Sequence, residues 1–84
     1  MPYILRFHPR AEKDLANIPD QEYSRIKKAL SLLESNPSQG KKLRGEYKGY
    51  YSIRVWPYRI VYTIHKASQH IIITAIGHRQ GIYK

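Results

Sequence analysis

Three runs rich in β-branched and aromatic residues dominate the second half of this chain: YYSIRVW (50–56), YRIVYTIH (58–65) and HIIITAIG (70–77). Only Pro57 and the polar turn KASQ separate them. Strands joined by such short connections can pair only with antiparallel neighbours, so the three runs predict a β-meander. Upstream, YILRF (3–7) reads as a further strand that joins the sheet. Pro9 then suits the first turn of a helix in which Ala11, Leu15 and Ile18 fall on one stripe, and Pro19 closes it. Asp20 can cap a second helix, with Tyr23, Ile26, Leu30 and Leu33 at helical spacing until Asn36-Pro37 stops it. Residues 38–49, SQGKKLRGEYKG, carry three glycines and four cations and read as a loop or an irregular approach to the sheet. The expected fold is α+β in the order β-α-α-β-β-β. Two N-terminal helices pack on a mostly antiparallel four-stranded sheet, as one domain spanning residues 1–84.

Charge is distributed unevenly over that scaffold. Of fifteen Lys and Arg and six Asp and Glu, residues 1–40 hold six basic and five acidic side chains. From Lys41 onward nine cations face Glu46 alone. The C-terminal half is therefore the face expected to meet phosphates, and a net charge of +9 favours a polyanionic partner. The absence of cysteine excludes disulfides, thiolate nucleophiles and Cys-based zinc sites. The carboxylates are scattered, without the clustered ligands that metal catalysis needs, so no metal and no cofactor is expected. MPYILRFHPR lacks a basic leader ahead of a long apolar stretch, and the apolar run near 71–76 is too short to span a bilayer. A soluble, cytoplasmic protein is the expectation.

The meander makes a geometric statement about two arginines. If the connection around Pro57 has two residues, strand parity puts Arg54 and Arg59 on one sheet face and Ile53, Ile60, Tyr51 and Tyr62 on the other, against the helices. Two like charges side by side repel by a few tenths of a kcal/mol or more. An anion would relieve this; so would guanidinium groups that splay into water or stack on Trp56 and the tyrosines. Past the last strand, GHRQGIY (77–83) adds His78 and Arg79 at the sheet's end, with Gly81 allowing Tyr83 to fold back.

KLRG (42–45), Y-x-I-R (51–54), YRIVY (58–62) and GHRQGIY (77–83), in this order and spacing, resemble the RelE/ParE toxin superfamily, specifically its RelE-like mRNA interferase branch. The likeness covers essentially the whole chain. It implies the toxin of a type II toxin–antitoxin system: a ribosome-dependent endoribonuclease that cuts mRNA in the decoding site and is held inactive by a cognate antitoxin. Metal-independent cleavage of this kind uses the substrate's own 2′-hydroxyl. The protein orients the RNA, helps the 2′-OH proton leave, neutralises the phosphoryl oxygens and protonates the leaving oxygen. By resemblance, Arg59 and Arg79 would clamp the scissile phosphate, Arg54 would add charge beside it, and Tyr83 would approach the 2′-OH or stack on a base. Lys41, Lys42, Arg44 and Lys48 would dock ribosomal RNA, unless they are simply a solvated loop.

The chain departs from the family's pattern on its second strand, where relatives carry lysines on alternate residues and this chain has Ser52 and Arg54. His78, with an ordinary pKa of about 6.5, would then share the acid and base work with Tyr83. Two other readings stay open: a ParE-like toxin acting on DNA gyrase, and a non-catalytic basic nucleic-acid-binding module.

Overall fold

The computed structural model describes residues 2–78. Strand β1 (Ile4–Phe7) leads into helix α1 (Pro9–Ala16) and helix α2 (Asp20–Ser35). A short β2 (Lys41–Lys42) follows, flanked by single 3-10 turns at Pro37–Gln39 and Gly45–Tyr47, and then β3 (Tyr51–Val55), β4 (Tyr58–His65) and β5 (His70–His78) complete the sheet. The spatial order is β1-β5-β4-β3-β2. The α+β class and the expected β3-β4-β5 meander are present. The sheet is mixed and has five strands, because Lys41–Lys42 pairs antiparallel with β3 at one edge and β1 runs parallel to β5 at the other.

Both helices cover one face of the sheet. Ala11 and Ile18 meet Ile26, Leu30 and Leu33 of α2 over Ile60, Tyr62, Ile71, Ile73 and Ile76, all buried. This is the stripe that the helical spacing predicts, seated on the alternate residues of β4. Tyr51 and Tyr62 are cross-strand partners with stacked rings, centroids 5.4 Å apart. The opposite face carries a smaller apolar cluster of Val61 and Ala75, covered by Leu43 and Tyr50. Leu43 and Tyr50 come from the segment between β2 and β3, which folds back over the sheet.

Helix α1 is capped by His8, whose Nδ1 accepts from the Arg10 amide at 3.1 Å, with Pro9 in its first turn. Its placement has a consequence for β5. Pairing with β1 ends at Ile73, where the His8 amide donates to the Ile73 carbonyl, and α1 then runs along the edge that β1 has vacated. There Asp14 Oδ2 accepts from the Ile76 amide at 3.0 Å, so a helix carboxylate satisfies a donor that no strand reaches.

Next to that contact β5 is bulged. Val61 faces Ala75, whereas Tyr62 faces Ile73, leaving Thr74 as the extra residue; its hydroxyl donates to the Val61 carbonyl at 3.0 Å. The extra residue reverses side-chain parity along β5. Ile71 and Ile73 face the helices before the bulge and Ile76 faces them after it, while Ala75 points to the other face.

Candidate functional site

The β3-β4 connection is the two-residue turn Trp56-Pro57, with a cis peptide between them, and Val55 pairs with Tyr58. Arg54 and Arg59 are therefore directly opposed across the two strands, on the face away from the helices, while Ile53 and Ile60 pair on the core side. Arg25 of α2 donates from Nη2 to the Trp56 carbonyl at 2.7 Å and ties the hairpin's end to the helical layer.

The two arginines have different surroundings. Arg54 is exposed. Arg59 is half-buried and leans back along the sheet, its Nη1 donating to Ser52 Oγ at 3.4 Å. Ser52 is only 3% exposed, a buried polar side chain on the arginine face of the sheet. The residue that departs from the family's lysine pattern thus holds one of the arginines in position. On β5, Gly77 faces Arg59 and contributes no side chain beside the guanidinium. Among the described residues no carboxylate forms an ion pair with either arginine; the ion pair found among them is Arg10 to Asp14 within α1, at 3.7 Å. The guanidinium pair thus has no carboxylate partner among the described residues, and both groups can grip an anion through planar N–H donors.

Of the four loop cations, Lys41 and Lys42 take opposite faces of the sheet. Lys41 pairs with Ser52, which puts it on the arginine face one strand over, whereas Lys42 pairs with Tyr51 and belongs to the helix side. Lys41, Lys42, Arg44 and Lys48, together with Lys66, line a groove of about 1360 Å³ whose apolar lining includes Leu43, Tyr51 and Ile64. Lys66, one of the nine C-terminal cations but far from these four in sequence, follows β4 and lines the same groove.

His78 is parted from the arginines. It pairs with Tyr58 and meets that ring edge to face at 5.7 Å, on the helix side of the sheet, while the preceding Gly77 lies beside Arg59. The bulge at Thr74 is the cause: without the extra residue, alternation from Ile73 would carry His78 to the arginine face. Its neighbour Tyr58 is held above its ordinary pKa by burial first and then by the Glu22 carboxylate, with Arg25 opposing, so the phenol there stays protonated. The expected sharing of acid and base work by His78 does not fit this position. Arg79 and Tyr83 lie outside the described residues.

No helix among the described residues is long and apolar enough to cross a membrane. Comparison with known proteins agrees with the motifs. Residues 5–83 match the family described as the ParE toxin of the type II toxin–antitoxin system parDE. The toxin RelG of Mycobacterium tuberculosis is 34% identical over 86 residues, covering 100% of this chain and 99% of RelG. A chain of the toxin–antitoxin complex RelBE2 from the same organism superposes with a TM-score of 0.86 at 32% identity, over 94% of this chain and 100% of that one. The isolated RelE toxin of E. coli superposes with a TM-score of 0.80 at 26% identity, over 90% of this chain and 83% of that one. With a family match over nearly its whole length and relatives that share its fold, the chain belongs to the RelE/ParE family of type II toxin–antitoxin toxins.

Proposed function

We propose that the chain is a RelE-like endoribonuclease that cleaves mRNA in the ribosomal decoding site. The observation that carries this reading is the pair Arg54–Arg59, without a carboxylate partner among the described residues and directly opposed on the face away from the helices, with Lys41 one strand away. In-line attack by a 2′-hydroxyl places a second negative charge on the phosphoryl oxygens as the bond to phosphorus forms, and leaves a 2′,3′-cyclic phosphate and a 5′-hydroxyl. Fixed guanidinium groups stabilise that developing charge without reorganising. In this reading Arg59, held by Ser52, grips the scissile phosphate; Arg54 and Lys41 add charge around it; Arg79 completes the clamp and Tyr83 serves the 2′-OH, the last two on the strength of the GHRQGIY motif. Lys42, Arg44, Lys48 and Lys66 dock the structured RNA around the message through phosphate contacts that are blind to sequence and weaken with salt. The relatives of known structure include toxin–antitoxin complexes, and a cognate antitoxin covering the basic groove and arginine face would keep this toxin inactive.

The test is a reconstituted translation reaction read by primer extension, with the ends of the fragments analysed chemically. Cuts within codons that require ribosomes and leave 5′-hydroxyl ends are expected. Intact message together with blocked gyrase supercoiling would replace this reading by the gyrase one. Intact message with salt-sensitive RNA binding alone would reduce the protein to a binding module.

His78 supplies a second test. Because it faces Tyr58 and not the arginines, His78→Ala should leave the single-turnover rate of message cleavage within about threefold of wild type, whereas loss of a proton carrier typically costs about 100-fold or more. A loss of the larger size would return His78 to the acid–base machinery.

A further inference from the structure

Beside the arginine pair, on the same sheet face, lies a hollow of about 250 Å³ that the phosphate chemistry leaves unused. Its floor is Val61 and Ala75, cross-strand partners on β4 and β5, with the bulged Thr74 next to them. Tyr47, Tyr50 and Glu46 line it from the segment folded back between β2 and β3, and Arg10 lines it from the start of α1. Tyr47 and Tyr50 stand edge to face, centroids 6.5 Å apart, which presents aromatic surface at right angles over a small apolar base.

We propose that this hollow is a nucleobase slot, which seats a base adjacent to the phosphate gripped by Arg59 and favours bases that present an amino group. The inference rests on the RNA-cleavage reading and adds a specificity element to it. Three observations carry it. The first is distance: Val61 lies two residues from Arg59 on β4, roughly 7 Å along the strand, about the step from a phosphate to a neighbouring base. Arg59 also leans toward this row, since Ser52, which accepts from its guanidinium, is the cross-strand partner of Val61. The second is surface: the half-buried rings of Tyr47 and Tyr50, seated over the packed Val61–Ala75 pair, offer a flat aromatic face to an unstacked base, the usual way in which single-stranded RNA is held. The third is charge. Glu46 is the sole carboxylate side chain after residue 40, and it lies at the edge of a surface otherwise built to attract phosphates. A carboxylate repels a phosphate but accepts from the exocyclic amine of cytosine, adenine or guanine. Uracil offers carbonyl oxygens on either side of its one N–H, and these would oppose the carboxylate.

Equilibrium binding tests the slot without using cleavage. The full-length chain is titrated with a short 2′-O-methyl oligoribonucleotide, which cannot be cut, and with the same backbone lacking bases. Wild type should bind the base-bearing oligomer about tenfold or more tightly, as one stacked base contributes on the order of 5- to 150-fold. Tyr47→Leu and Tyr50→Leu, which keep apolar cover over Val61 and Ala75, should erase most of that difference while leaving the abasic affinity unchanged. Glu46→Gln, at an exposed position, should reduce a preference for oligocytidine over oligouridine. Equal binding of base-bearing and abasic oligomers by wild type overturns the slot. So does a difference that survives both tyrosine substitutions. If the leucine variants unfold, as judged by thermal melting, the Glu46→Gln comparison decides: an unchanged cytosine preference, or none in wild type, counts against the slot. Binding that behaves as expected in a protein that leaves messages intact would sink the cleavage reading while the slot stands.

Discussion

Replacing Arg59 with alanine is expected to lower the single-turnover rate of cleavage of ribosome-bound message by about 100- to 1000-fold, the usual cost of removing one preorganised donor to a developing oxyanion. Arg59 is the arginine whose position is fixed. It is half-buried, its Nη1 donates to the buried Ser52, and Gly77 opposite brings no side chain to compete for the space. Arg54, directly across, is exposed and free to follow the substrate, so Arg54→Ala should cost distinctly less. Arg59→Lys separates charge from geometry. A lysine keeps the charge but loses the planar fork that holds two oxygens at once, and its rate should fall between those of wild type and Arg59→Ala. Because the side chain lies on the face away from the main core, the alanine variant should melt within a few degrees of wild type. A cleavage rate within threefold of wild type in a folded Arg59→Ala protein would remove the arginine pair from the mechanism.

That arginine pair is legible in the sequence itself, since strand parity has a period of two and a two-residue turn leaves it no choice. The α2 stripe of Ile26, Leu30 and Leu33 is legible for the same kind of reason, a period of 3.6 bounded by prolines. Elements without a periodic signal are not. Strand β2 is two lysines among glycines, with no β-forming side chain, and it exists because the chain returns beside β3. The parallel pairing of β1 depends on how the two helices carry the chain back, which four residues of strand cannot encode. The bulge at Thr74 interrupts IIITAI at a β-branched residue, without the Gly or Pro that would announce it, and it sends His78 to the face opposite the arginines. Ser52 looks like a lost lysine in the sequence, yet in three dimensions it is the acceptor that orients Arg59.

The largest expected effect on stability lies at Gly40, where the chain enters β2. Tyr62 is fully buried, and its hydroxyl donates to the Pro37 carbonyl at 2.7 Å while accepting from the Gly40 amide at 3.0 Å. Burial raises the pKa of this phenol, and the Gly40 N–H only partly offsets that, so it remains a protonated donor. One core hydroxyl thus pins the turn that delivers Lys41 and Lys42 to the edge of β3. Close approach makes the contact possible. A β-carbon on Gly40 would run into the Tyr62 hydroxyl oxygen and sit 3.0 Å from its Cζ and 3.1 Å from the Ser52 carbonyl oxygen. The φ of −74° is ordinary for any residue, so the requirement for glycine is one of space. Gly40→Ala should therefore destabilise by about 1–3 kcal/mol through overpacking, a fall in melting temperature of roughly 4–20 °C for a chain of this size. Tyr62→Phe should cost a comparable amount, by leaving the Pro37 carbonyl and Gly40 amide without their buried partner. The two costs should not add. Removing the hydroxyl removes the atom nearest the new β-carbon, so the double variant should be more stable than the sum of the singles predicts, by about 0.5 kcal/mol or more. Chemical denaturation of all four proteins measures the cycle. Strict additivity, or an alanine at position 40 tolerated within a few tenths of a kcal/mol, would mean that the turn yields to the added carbon and that Tyr62 does not fix the position of the lysine edge.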